Sequence, residues 1–180
     1  MSLSGWIQLF LAFLFALAGA AKLTAWQSFW QTLTMLQVPA GLRGALAVLI
    51  PVLELAAACI LVLGPWSLLG AWLLLALLVL FAAAVGLVMK SRANVTCNCF
   101  GNLLPGYLGK KTLAHIAVLG ALDIYLLAAG ESDALASASP MDWTLGLVTA
   151  AGLFTLYALG SAVYGHYTFM AKMQAGGRKG

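Results

Sequence analysis

Two thiols stand one residue apart in the segment Thr96-Cys97-Asn98-Cys99-Phe100-Gly101. Joined to each other they would close a small, strained ring, and strain makes a disulfide labile and more oxidising. Lys90, Arg92, Lys110 and Lys111 flank the segment. Nearby cations favour the thiolate, the form that attacks disulfides. Cys97 and Cys99 therefore read as a redox pair that exchanges with a partner's thiols. The same residues also fit two small side chains in a tight loop ended by Gly101. A metal is the weaker assignment. With His115 or His166 the pair reaches three ligands, whereas a structural zinc site takes four, and there is no second cysteine pair. No metal site is assigned. The third cysteine, Cys59, lies in an apolar run and reads as a small buried hydrophobe.

A second group of residues is ionisable and sits where lipid is expected. Glu54 and Asp123 fall near the middle of apolar stretches, where an acid is costly and is usually paired or functional. Glu54 is either neutral or meets a polar group across the bundle. Asp123 lies two steps of four from His115, so the two lean toward one helix face, with Lys111 opening the row. A proton path from His115 to Asp123 is one reading. Buried acids that hold the helices in register are the other. Lys22 closes the first apolar run in Gly19-Ala20-Ala21-Lys22-Leu23 and reads as a lysine snorkelling to the interface. His166 reads as an interfacial histidine.

The elements that must position these groups are membrane helices. The 180 residues are 63% hydrophobic and only 8% charged, against about 25% charged in a soluble domain. Such a chain cannot hide its apolar surface in a soluble fold. A span takes about 20 apolar residues, and five stretches qualify: residues 3–21, 45–63, 66–89, 112–129 and 143–164. The fold class is all-α, a polytopic bundle of about five spans. The first run lacks a basic leader and a small-residue cleavage site, so it reads as a retained helix. Gly64-Pro65 breaks the second run from the third and makes them a tight hairpin. Trp26-Gln27-Ser28-Phe29-Trp30-Gln31-Thr32-Leu33 is too polar to span and suits a short amphipathic helix in the interface. Gly44, Gly86, Gly120, Gly146 and Gly152 are expected at close helix contacts. Residues 1–170 form one transmembrane domain, and residues 171–180 read as a disordered basic tail.

Five spans put the first and third loops and the C-terminus on one face. That face holds all nine Lys and Arg, and the other holds Glu131, Asp133 and Asp142. The positive-inside rule then sets the N-terminus outside and the C-terminus in the cytoplasm. No basic patch with interleaved aromatics is present, so nucleic acid is excluded as a partner.

Gly19-x-x-Lys22-Leu23 after the first span, the aromatic stretch that follows, and Pro51-Val52-Leu53-Glu54 in the second span resemble the DoxX-like membrane families. Cys97-Asn98-Cys99-Phe100-Gly101, with Lys111-Thr112-Leu113 opening the next helix, resembles the MauE family, although Asn98 stands where the family pattern carries Gly. The resemblance covers most of residues 5 to 170. It implies a five-span protein of the bacterial inner membrane that assists maturation of the methylamine dehydrogenase β subunit, a periplasmic, disulfide-rich client carrying a tryptophan-derived quinone. The implied companion is a thioredoxin-like, MauD-like protein. Cys97 and Cys99 carry over as the matching cysteines, and Lys22 and Glu54 as matching positions without a role. Whether the protein is itself a thiol–disulfide oxidoreductase or only an accessory factor stays open. No cofactor is evident, and a quinone pocket, being apolar, leaves no readable motif. Two rival functions remain: a transporter or export factor using Glu54 and Asp123, and a membrane scaffold that only docks partners. Direct work on a periplasmic client asks for the cysteines outside, whereas the charge count puts them inside.

Overall fold

The computed structural model describes residues 2–91, 96–97, 106–107, 110–130 and 139–176, with the side chains of 91–111, 157–158 and 161–176 outside that description. Among the described residues six α-helices carry the chain: α1 (Leu3–Thr24), α2 (Trp26–Met35), α3 (Ala40–Val62), α4 (Ser67–Ser91), α5 (Lys110–Ala129) and α6 (Pro140–Gly176). Between α4 and α5 a two-residue antiparallel pairing sets Thr96 opposite Tyr107 and Cys97 opposite Gly106. The architecture is an all-helical membrane bundle. Among the described residues four helices are long and apolar enough to cross a membrane: Leu3–Thr24, Ala40–Val62, Ser67–Lys90 and Thr112–Ala129. The fifth expected span lies within α6, a single helix of 37 residues, only part of whose side chains are described. That helix runs through Gly176, so 171–176 are helical where a disordered tail was expected. Ala171, Lys172, Met173, Gln174 and Ala175 all favour helix, and nothing breaks it before Gly176.

The helix ends follow local chemistry. Ser2 caps α1, its hydroxyl accepting from the Gly5 amide at 3.3 Å. Ser139 and Asp142 cap α6 reciprocally. The Asp142 carboxylate accepts from the Ser139 amide at 3.0 Å and its hydroxyl at 2.9 Å, and the Asp142 amide donates to that hydroxyl at 3.3 Å. These two donors hold the exposed Asp142 carboxyl below the ordinary carboxylate range. The expected hairpin break is a 3₁₀ turn at Gly64–Trp66.

α1 packs chiefly on α3, α4 packs on α3 and α5, and α6 packs on α1. The main core joins Leu11, Ala12 and Phe15 of α1, Ala57, Ala58 and Leu61 of α3, and Ala71, Leu74, Leu77 and Leu78 of α4. A second, smaller core forms where Phe29 and Leu33 of α2 meet Ala47 and Ile50 of α3. α2 is thus the expected amphipathic helix: one edge is buried, while Trp26 and Trp30 stay exposed with ring centroids 6.1 Å apart.

Close helix contacts do use glycine, but mostly not the expected ones. A Cβ on Gly70 would lie 2.5 Å from the Leu61 amide nitrogen and 2.7 Å from its Cα. Only hydrogen lets α4 approach the α3 backbone there. A Cβ on Gly19 would meet Leu55 Cγ and the Pro51 carbonyl oxygen, each at 3.0 Å. Of the expected five, Gly146 does pack closely, on Leu9, and Gly44 only reaches Trp30 at 4.0 Å. Gly86, Gly120 and Gly152 face open space among the described residues. A glycine's presence in a span does not say which way it points.

Candidate functional site

Lys22 sits in the last turn of α1, where a snorkelling lysine would turn outward to water. It turns inward instead. Its ammonium group donates to both oxygens of Glu54, at 2.6 Å and 2.8 Å, and the two side chains are 3% and 1% exposed. Three local features allow this. Gly19, one turn before Lys22, brings α1 against Pro51 and Leu55 of α3. Pro51 has no N–H, so the helical bond to the Ala47 carbonyl is absent at that level. Glu54 then lies three residues on, facing α1. Phe81 of α4 completes the enclosure, its ring centroid 5.2 Å from the Lys22 nitrogen, and a cation over an aromatic face is attractive. Phe81 packs against both apolar cores, so the ion pair lies at their junction. A charge pair sealed in this way satisfies each ion by the other, and loss of either partner strands a bare charge in an apolar interior.

Asp123 is the opposite case. It is 0% exposed, and neither carboxyl oxygen has a hydrogen-bond partner among the described residues. It sits on the inward stripe of α5, whose Leu119, Leu122, Leu126 and Leu127 pack on the main core. His115 is exposed, so the structure does not gather it with Asp123 into one buried row. Eight residues amount to a little over two turns, and the residual rotation of about 80° carries one side chain inward and the other outward.

Cys59 is a free thiol on the exposed face of α3, not the buried one expected. A span apolar on all sides offers lipid the same residues it offers the core. Of the expected redox pair, the backbone of Cys97 is placed, opposite Gly106. The Cys97 side chain, all of Cys99 and the His166 side chain lie outside the described residues.

Two contributors escaped the sequence reading. Phe81 carries no signal that marks it among the other apolar residues of its helix. Gln8 does carry one: it is a buried polar residue in an apolar span, and its amide donates to the Leu61 carbonyl. That carbonyl would normally accept from residue 65, which is Pro65 and has no N–H. The missing donor is thus readable from the proline, although its replacement is 53 residues away in sequence.

With this arrangement in view, similarity to known proteins is informative. The family model described as "Methylamine utilisation protein MauE" matches residues 1–130. The chain belongs to the MauE family. The matched region includes Lys22, Glu54, Cys97, Cys99, His115 and Asp123. Methylamine utilization protein MauE of Paracoccus denitrificans is 31% identical over 164 residues, covering 88% of this chain and 86% of the relative. Its counterpart in Paracoccus versutus is 31% identical over 161 residues, covering 87% and 84%. No solved structure matches. Family and fold agree on a multi-pass membrane protein.

Proposed function

We propose that this protein is a membrane accessory factor of methylamine utilisation that handles thiols during maturation of the methylamine dehydrogenase β subunit, with Cys97 and Cys99 as the exchanging pair. The observation that carries the reading is the match to the methylamine-utilisation family over residues 1–130, a region that contains both cysteines. In the exchange, a thiolate of a thioredoxin-like, MauD-like partner attacks the strained Cys97–Cys99 disulfide, and a mixed disulfide forms. The partner's second thiolate then displaces the pair. The pair becomes a dithiol and the partner leaves as a disulfide, two electrons having moved. The sealed Lys22–Glu54 pair supports this work by fixing α1 on α3.

The protein is assigned to the bacterial inner membrane, with its N-terminus outside. Lys22 is neutralised by Glu54 and drops out of the orienting charges, which leaves eight of nine cations on the cytoplasmic face. The cysteine loop then faces the cytoplasm, so the partner it exchanges with is a cytoplasmic thioredoxin-like protein and the periplasmic client is served by relay across the membrane. Cells carrying Cys97→Ser with Cys99→Ser should fail to accumulate mature methylamine dehydrogenase while still making the membrane protein. Normal maturation in that strain ends the thiol mechanism. A membrane-impermeant maleimide applied to intact cells should leave both cysteines unlabelled until lysis. Labelling from outside reverses the orientation.

A further inference from the structure

Buried polar groups collect at the end of the bundle that holds the N-terminus. Ser4 and Gln8 of α1, Ser67 of α4 and Asp123 of α5 are all 5% exposed or less. Between these helices lies a cleft of about 20 Å³, lined by Gln8, Leu61, Ser67, Leu68, Ala71, Leu126 and Gly130. That volume is enough for roughly one water molecule. Leu126 is one helical turn from Asp123, and Gly130 is the residue at which α5 gives way to loop. The cleft therefore runs from the bundle end to within about 5 Å of the level of the carboxyl, by helix rise.

We propose that Asp123 is a proton-binding site loaded through this cleft from the face that holds the N-terminus. An enclosed carboxyl with no partner among the described residues has nothing to neutralise it except a proton, and a water that moves from the cleft to the carboxyl is the carrier that can bring one. The step is a protonation: one O–H bond of the donor water breaks as one forms at a carboxyl oxygen, the water regains a proton from solvent, and the site changes by one unit of charge. Among the described residues the neighbours leave that charge uncompensated. α1 and α4 pack against α5, and their described ionisable groups are Lys22, which Glu54 holds, and Lys90, at the far end of α4. α5 itself carries His115 and Tyr125, both exposed, and Lys110 and Lys111 open it at its other end. The site is independent of the thiol chemistry, so either assignment can fail without the other.

The test is infrared spectroscopy of the full-length protein in lipid. A carbonyl band from a protonated carboxyl should be present, should diminish as the pH is raised, should shift in heavy water while the protein stays folded, and should be missing in Asp123→Asn. Leu68→Trp, at a half-exposed position on the cleft, should slow the heavy-water shift several-fold. Absence of the band, or a band that shifts only on unfolding, overturns the proposal, and an unchanged rate in Leu68→Trp overturns the route. Should Asp123→Asn fail to fold, carbodiimide modification of the unaltered protein, mapped by mass spectrometry, makes the assignment. Asp123 should be modified and the ion-paired Glu54 spared, and the reverse pattern refutes the site.

Discussion

Glu54 and Asp123 are both carboxyl groups sunk in apolar helices, yet they are buried on different terms. Glu54 has both oxygens engaged by one lysine, within a cage completed by Phe81. Asp123 has no partner for either oxygen among the described residues. The first is a closed structural unit that joins α1 to α3. The second is an open valence inside the bundle. An acid in a span is thus no uniform signal. Its meaning depends on whether a counter-charge can reach it, and that is decided by the neighbouring helix.

The sharpest way to break this contrast is to remove Lys22. Lys22→Met leaves Glu54 stranded and should destabilise the protein by about 3–5 kcal/mol, seen as a large drop in detergent melting temperature. Combining it with Glu54→Leu should recover most of the loss, because two apolar groups replace a matched pair. A double variant as poor as the single one would mean that the pair is needed for something besides neutralising itself. Next in size is the glycine contact that sets the hairpin. Gly70→Ala places a methyl against α3 backbone and should cost about 1–3 kcal/mol, whereas Gly86→Ala, facing open space, should stay within about 0.5 kcal/mol. Equal effects would show that the α3–α4 approach is looser than described.

Asp123→Asn should shift the same melting curve by less than about 1 kcal/mol, since no partner is lost. A loss as large as that of Lys22→Met would reveal a hidden partner and erase the contrast between the two acids. The smallest effect belongs to an acid that is neither buried nor lone. Asp142 is held below its ordinary range by Ser139, so its stabilising contribution is present above the unfolded value and fades as pH falls through the folded one. Acidification should loosen the first turn of α6, read as lost amide protection there after correction for intrinsic exchange. Ser139→Ala should produce the same fraying at neutral pH.

Much of this was legible in the chain. The apolar runs placed the first four spans, Gly64-Pro65 placed the hairpin, and the aromatic stretch from Trp26 to Leu33 placed α2, because each is a local property of composition or backbone chemistry. Lys22 and Glu54 were both visible as residues of interest, and the motifs around them, with the cysteine segment, pointed to the family. Their partnership was not visible. They are 32 residues apart, and a lysine at a span end fits a snorkelling pose as well as a buried one.

What the sequence determined by itself is therefore the membrane class, the run of helices and the family, all carried by composition and short motifs. Only the tertiary structure decided direction: that Lys22 turns inward, that His115 and Asp123 part company, that Cys59 faces outward, and that Gly19 and Gly70 make the close contacts while Gly86 does not. The reason is physical. In water, a helix's polar stripe marks its outer face. In lipid, the outer face and the core are equally apolar, so periodicity loses its pointer and only packing between helices supplies one.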